Sequence, residues 1–127
     1  MRTQQDVEAY LRSMGRPYKD AGEGTFVVRV EGGSIALKVE PPLVLSRVEV
    51  GPVPGTGREA LYEHLLALNA TALVHASYGL DEGKIVLSAA LELENLDYNE
   101  LDALIAEVDL ALAQQLPKIR ELAAGRP

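Results

Sequence analysis

The sequence predicts an α+β domain with a mostly antiparallel, five-stranded sheet and three helices packed on it. Three segments carry apolar residues at helical spacing, five shorter segments alternate with a period of two, and glycine- or proline-rich turns separate them. The predicted order is α-β-β-β-α-β-β-α, and runs of strands separated by single helices favour an antiparallel sheet. The 127 residues are expected to form one domain, 1–127, with a frayed tail at 123–127.

The first predicted helix begins at a capping box and ends at a glycine. Thr3 is followed three residues later by Asp6, the spacing of a helix start, and Gly15 ends the helical pattern. A strand begins at Thr25, where apolar and polar residues alternate as far as a Gly-Gly turn at 32–33.

Two further strands are predicted at residues 34–40 and 43–50. Pro41 and Pro42, which separate them, cannot donate a hydrogen bond to a ladder and therefore mark an edge or a bend. The strand at 43–50 is rich in β-branched residues and has apolar side chains in both phases, so both of its faces are expected to be at least partly buried.

The second predicted helix is followed by a hairpin. Thr56 and Glu59 have the spacing of a capping box, and the helix after them has a wide leucine-rich face. Strands are predicted at 73–78 and 84–94, and the Asp and Gly residues between them suit a reverse turn.

The third predicted helix is long and contains a proline. Asp97 and Glu100 have capping-box spacing, and leucines follow along one face. Pro117 removes a backbone donor and crowds the carbonyl four residues earlier, so a kink or an end is expected near Leu116.

The charge and composition exclude several function classes. A formal net charge of -7 repels phosphate backbones, so no nucleic-acid partner is expected. The absence of cysteine excludes disulfides and thiolate sites. No apolar stretch is long enough to span or target a membrane, so we expect a cytoplasmic protein without a membrane partner.

Residues that could carry catalysis or hold a metal are better explained as structural. His64 and His75 lack the spacing of a zinc site, and the carboxylate pairs at 81–82 and at Glu92 and Glu94 suit a tight turn and the solvent face of a strand. We therefore expect no catalytic residue, no metal and no cofactor. A rival hypothesis is an enzyme or small-ligand sensor, with a pocket formed by Arg29, His75, Tyr78 and Glu92.

The apolar residues exceed what one layer of helices is expected to cover. The strand at 84–94 has a strongly apolar phase, and its opposite phase begins with Val86, Ser88 and Ala90. Two interpretations remain open: a core larger than the pattern indicates, or an apolar surface that meets a second copy or an extended partner.

Three segments of the second half resemble a known family: LLALNA at 65–70, YGLDEGKIVL at 78–87 and LELENLD at 91–97, which leads into a leucine-rich helix. This pattern resembles the type III secretion chaperone-like superfamily, which includes the CesT/Tir class I chaperones and the YbjN-like domains. The resemblance implies a non-enzymatic, homodimeric protein that binds an extended segment of a partner or secreted protein. It implies dimer contacts at Leu61, Leu65, Leu66 and Leu68, and partner contacts at Val27, Val44, Val48 and Val86.

Two features depart from the chaperone pattern. Residues 75–78 are bulkier than the small-residue stretch of the chaperones, and the third helix carries Pro117. A free-standing YbjN-like domain without a secretion client therefore remains an alternative.

Overall fold

The computed structural model describes residues 1–125. Its elements follow the order α-β-β-β-β-α-β-β-α. They are α1 (Gln4–Met14), β1 (Tyr18–Gly22), β2 (Thr25–Val30), β3 (Gly33–Glu40), β4 (Leu43–Pro52), α2 (Arg58–Thr71), β5 (Ser77–Asp81), β6 (Lys84–Glu92) and α3 (Tyr98–Ala123).

The strands form one antiparallel sheet with helices packed against one face. Its strand order is β1-β2-β3-β4-β6-β5, so β1 and β5 are the edges. Alternate residues of each central strand point into the core, as Phe26 and Val28 of β2 do, and meet the apolar faces of the helices. The α+β class, the three helices and the antiparallel pairing are confirmed.

The prediction of five strands is wrong, because the sheet has six. The missed strand, β1, is Tyr-Lys-Asp-Ala-Gly and is half-buried only at Tyr18. Lys, Asp, Ala and Gly are all depleted in strands, and a short edge strand has no alternating apolar pattern to reveal it. Tyr18 places it in the sheet, since its ring packs edge-on against Phe26 at 6.1 Å and its hydroxyl donates to Glu8 of α1 at 2.9 Å.

The hairpin after α2 is confirmed, but its first strand lies later in the chain than predicted. Strand β5 begins at Ser77, and only Glu82 and Gly83 form the turn, because Asp81 pairs directly with Lys84. Both turn residues have positive φ, 49° and 78°, as a two-residue hairpin turn of type I′ requires.

Two of the three predicted capping boxes are confirmed. In α1 the Thr3 and Asp6 side chains each accept from the other residue's backbone N–H, and Asp97 and Glu100 do the same in α3. The box at Thr56 is wrong: the N-cap of α2 is Gly57, at φ 72°, without a side-chain cap.

Helix α3 does not end at Pro117. It continues to Ala123, because the residues beyond the proline carry the apolar face onward: Ile119 is buried and Leu122 half-buried. Full burial of Ile119 and partial burial of Leu122 together contribute about 2–4 kcal/mol, which is comparable with the roughly 3 kcal/mol that a mid-helix proline costs. Of the tail predicted to fray, Arg126 and Pro127 lie outside the described residues.

Helix α3 approaches the turn between β2 and β3 so closely that only glycine fits there. A Cβ on Gly32 would lie 2.8 Å from the Leu112 Cβ, well inside normal contact distance. Asp109, one turn earlier in α3, fixes the same region, since it accepts from the backbone N–H of Glu31 at 3.2 Å and from Arg16 at 2.9 Å.

We expect Gly32→Ala to lower the free energy of unfolding by about 1–3 kcal/mol, because the added methyl group forces α3 and the turn apart. Urea denaturation followed by circular dichroism measures the change. Gly55→Ala is the matched control, since a Cβ at Gly55 meets nothing within 4 Å. Equal stability of the two variants would contradict this account of the packing.

Candidate protein-binding surfaces

The second face of the sheet, here called the open face, carries small and apolar side chains at its centre. Val27 of β2 lies opposite Ala36 of β3, and Leu45 of β4 lies opposite Ala90 of β6. Val27 and Leu45 are half-buried, and both alanines are exposed. None of the four belongs to the buried core that the helices cover. The open face is therefore a shallow apolar track between longer side chains.

Four basic side chains surround the Val27–Ala36 pair. Lys19 is opposite Val27 on β1, and Arg47 is opposite Ala36 on β4. The other two, Arg29 and Lys38, lie two residues along the strands from Val27 and Ala36 and therefore on the same face. Of these four, only Arg47 forms an ion pair within residues 1–125, with Asp81 of β5 at 2.6 Å.

Val86 is buried on the open face by charged neighbours. It lies between Glu49 of β4 and Gly79 of β5, and the register places the Arg47–Asp81 pair diagonally across it. Lys84 extends toward Glu49 at 3.4 Å on the same side. Val86 is only 6% exposed although it is not part of the helix-covered core. These ion pairs bury part of the apolar surplus that the sequence indicates.

Asn69 of α2 occupies the outer edge of β5. Its side-chain oxygen accepts from the backbone N–H of Tyr78 at 2.7 Å, and its amide nitrogen donates to the Tyr78 carbonyl at 3.0 Å. These are the two backbone groups through which Tyr78 would pair with a further strand. Helix α2 therefore blocks this edge at its centre.

Glu107 of α3 anchors the segment that leads into β5. Its carboxylate accepts from three consecutive backbone N–H groups, those of Val74, His75 and Ala76, at 2.7–3.2 Å. The Glu107 side chain is only 15% exposed, and its negative charge strengthens the bonds to these N–H groups. They hold in place a segment that the sequence pattern alone predicts to be a strand.

The outer edge of β1 has no such cap within residues 1–125, where no hydrogen bond outside the sheet involves the backbone groups of Tyr18 or Asp20. The backbone N–H of Arg29 donates to the Pro17 carbonyl at 2.9 Å, so Pro17 and Lys19 direct their backbone groups toward β2. Because these directions alternate along a strand, Tyr18 and Asp20 direct their N–H and C=O groups away from the sheet. The two edges thus differ: one is blocked by a side chain and the other can accept a strand.

The residues implied in dimer contact lie at different depths. Leu61 and Leu65 are 0% and 5% exposed and belong to the subunit's own core, and Leu68 packs against it half-buried. Leu66 is 67% exposed on the outer surface of α2. Only Leu66 is free for a large contact with another chain.

The residues implied in partner contact are similarly divided. Val44 and Val48 point into the helix-covered core, with 0% and 6% exposure. Val27 lies on the open face, and Val86 lies there beneath the ion pairs.

The structure does not bring together the four residues of the rival enzyme or sensor hypothesis. Tyr78 points to the helix side, where its hydroxyl donates to Gln115 at 2.7 Å, whereas Arg29 and Glu92 belong to the open face. His75 is 46% exposed in the segment before β5.

The carboxylates weighed as metal ligands are also separated. Asp81 pairs with Arg47, and Glu94 lies 3.7 Å from the N-terminal amine. Within the described part of the chain, no group of three or more His, Asp or Glu side chains is arranged to hold a metal ion. No helix in residues 1–125 is both long and apolar enough to cross a membrane.

Tyr78 couples the hairpin to α3 and makes stability depend on pH. Burial raises the pKa of its hydroxyl to about 12, since the ionised form loses its hydration inside the protein. The neutral hydroxyl is also the form that donates to Gln115. A folded-state pKa above the unfolded value gives a stabilising contribution that is complete below pH 10 and lost at higher pH.

We expect the free energy of unfolding to fall by about 1–2 kcal/mol between roughly pH 10 and pH 12 because of Tyr78, since the unfolded chain loses this proton first. Urea denaturation at a series of pH values measures the slope. Tyr78→Phe should flatten it, whereas Tyr98→Phe, which leaves Tyr78 in place, should not. An unchanged slope in Tyr78→Phe would show that other groups cause the fall.

Comparison with known proteins identifies the family. The sequence profile of CesT_Tir_1 matches residues 1–125. The chain belongs to the CesT_Tir_1 family. This match confirms the family resemblance that three segments of the second half indicate. It also covers the first half of this CesT_Tir_1 chain, as far as residue 125. Comparison with curated proteins found no match.

Solved structures share its fold. One is from the heterodimeric ExoU-SpcU complex of the type III secretion system of Pseudomonas aeruginosa, with 21% identity, a TM-score of 0.72, and coverage of 87% of this chain and 95% of that chain. A chain of the HopA1-SchA chaperone-effector complex has 18% identity, a TM-score of 0.64, and coverage of 93% and 92%. YbjN from E. coli has 14% identity, a TM-score of 0.62, and coverage of 87% and 88%.

Sequence reasoning missed several residues that define these surfaces. Asn69 lies in the LLALNA segment, but the sequence alone assigns no role to it. Glu107 could not be recognised from the sequence, because its backbone partners are about thirty residues earlier in the chain. A signal did exist for Arg29 and Lys38, which are cations in the polar phases of two adjacent strands of an acidic protein.

Proposed function

We propose that this CesT_Tir_1 protein is a non-enzymatic, homodimeric chaperone-like module of the cytoplasm that holds an extended segment of a partner or secreted protein. The observation that carries the proposal is the free outer edge of β1 beside the open face. Two structures of similar fold come from complexes: one belongs to a type III secretion system and the other is a chaperone-effector complex.

The partner segment adds to the sheet as a seventh strand beside β1. The outward N–H and C=O groups of Tyr18 and Asp20 supply main-chain hydrogen bonds, which give affinity without requiring one particular sequence. Asn69 blocks the equivalent groups on β5, so strand addition is directed to one edge. A YbjN-like domain whose partner is not secreted would use the same fold and the same free edge.

We expect Asp20→Pro to weaken binding of an extended peptide by about tenfold or more, because proline removes one outward donor and its ring obstructs the incoming strand. Peptides selected on the immobilised protein from a phage-displayed library of long unstructured sequences provide the probe, and fluorescence anisotropy measures affinity.

Leu80→Pro is the matched control, since Leu80 is the corresponding outward position on the blocked edge, and it should bind the peptides like the wild type. Circular dichroism confirms that both variants fold. Undiminished binding by Asp20→Pro would exclude strand addition at β1, and failure of the library to yield any binding peptide would count against the function as a whole.

The dimer contact involves the outer surface of α2, centred on Leu66. This side chain is 67% exposed, and the exposed neighbours Ala67 and Ala70 allow a second helix to approach closely. The 14-residue helix is about 21 Å long, which suits an interface much larger than one side chain. Leu61 and Leu65 then support the contact from within the subunit core.

We expect the wild-type protein to be a dimer at micromolar concentration and Leu66→Asp to be a folded monomer, because a charge at the interface centre would have to be buried unpaired. Light scattering coupled to size-exclusion chromatography gives the mass. Leu110→Asp on α3 is the matched control, since Leu110 is also an exposed helical leucine, at 57%, and should remain dimeric. A monomeric wild type would overturn the proposed dimer.

A further inference from the structure

We infer that the partner segment is acidic, with carboxylates that pair with Lys19 and Arg29 on the open face and with side-chain carbons that pack on Val27. This inference rests on the proposed function and names the chemistry of the segment that the open face accepts.

The charge distribution carries the first step. The chain has a net charge of -7, and α3, on the helix side, carries five carboxylates and two cations. Lys19, Arg29 and Lys38 nevertheless lie together on one half of the open face and take no part in an ion pair within residues 1–125. In an acidic protein, three neighbouring cations without internal partners form a locally positive surface that complements an anionic ligand.

The second step is the shape of the surface between these cations. A cavity of about 240 Å³ lies at the junction of β1, β2 and β3. Its lining includes Lys19 with its cross-strand neighbour Val27, and Arg29 with its cross-strand neighbour Ser34. An acidic side chain entering this cavity meets two cations and a hydroxyl at its carboxylate, and its methylene groups contact Val27.

The third step is continuity with the open edge. Lys19 lines the cavity and belongs to β1, the strand whose outer backbone groups are free. A strand paired with β1 lies about 4.8 Å beyond it, and alternate side chains of that strand face the open side next to Lys19. The same segment can therefore pair with the edge through its backbone and, through alternate carboxylates, with Lys19 beside it and Arg29 one strand further in. Lys38 on β3 is too distant for a direct pair and adds to the positive potential.

A protein segment fits these features better than a nucleic acid does. The rest of the molecule repels a long polyanion, and the half-buried apolar residue Val27 lies at the centre of the basic surface. An acidic peptide brings its charge in single carboxylates separated by other side chains, so it can pair with Lys19 and Arg29 and cover Val27.

Three labelled peptides of equal length test the inference. Each carries one central valine, and in each threonine alternates with aspartate, asparagine or lysine. We expect the aspartate peptide to bind about tenfold more tightly than the asparagine peptide at low salt, to lose this advantage at high salt, and to be preferred over the lysine peptide. The variant K19Q/R29Q/K38Q should bind the aspartate and asparagine peptides equally.

The matched control is R58Q/K118Q/R120Q, which removes three exposed cations from helices and changes the net charge by the same amount. It should keep the preference for aspartate, and circular dichroism should show that both triple variants fold. Equal affinity of wild type for the aspartate and asparagine peptides would overturn the inference. Retention of the preference in K19Q/R29Q/K38Q, or equally tight binding of an oligothymidylate to the same surface, would also overturn it.

The outcomes separate this inference from the proposed function. If the preference for aspartate is absent but library-selected peptides still bind and lose affinity in Asp20→Pro, the acidic chemistry is wrong and the strand-binding function stands. If wild-type protein binds neither the synthetic nor the selected peptides, both fail.

Discussion

Burial of the apolar face of α3 against one side of the sheet is the contact on which the rest of the structure depends. This face runs for most of a 26-residue helix and is buried from Leu101 to Ile119. It is long enough to cross several strands, and the shorter helices α1 and α2 complete the cover near the two edges. Because all three helices cover one face of the sheet, the other face is exposed to water, and its own side chains must make that exposure tolerable.

The two halves of the open face meet that requirement in different ways. On the β4–β6–β5 half, the Arg47–Asp81 and Lys84–Glu49 pairs lie over Val86, so these four charges have internal partners and Val86 is covered. On the β1–β2–β3 half, Lys19, Arg29 and Lys38 form no ion pair within residues 1–125, and Val27 remains half-buried. Exposed ion pairs contribute only about 0–1 kcal/mol each, so the difference matters little for stability and much more for what each half can bind.

The sequence predicts what depends on local pattern and fails where long-range contacts decide. Residues close together in the chain determine the features that were predicted correctly. These are the capping boxes of α1 and α3, the β2–β3 and β5–β6 hairpins, and the alternation of buried residues in β2 and β3. Strand β1 could not be found in this way, since it is a strand only because Tyr18 packs on Phe26 and the backbone pairs with β2. Likewise, Leu61 and Leu66 look alike in a leucine-rich helix, and only the position of α2 on the sheet separates a core residue from an exposed one.

The features that hid β1 from the sequence pattern also explain how an open edge is tolerated. A long, flat, apolar edge would pair with copies of itself, whereas β1 is five residues long, follows Pro17, contains Lys19 and Asp20, and has an irregular register before Gly22. The net negative charge adds repulsion between identical molecules. The same edge can accept a segment that supplies complementary charge, because the backbone groups remain free while the side chains select the partner. Polar composition on this strand thus protects the protein from its own copies and, through Lys19, links the edge to the basic half of the open face.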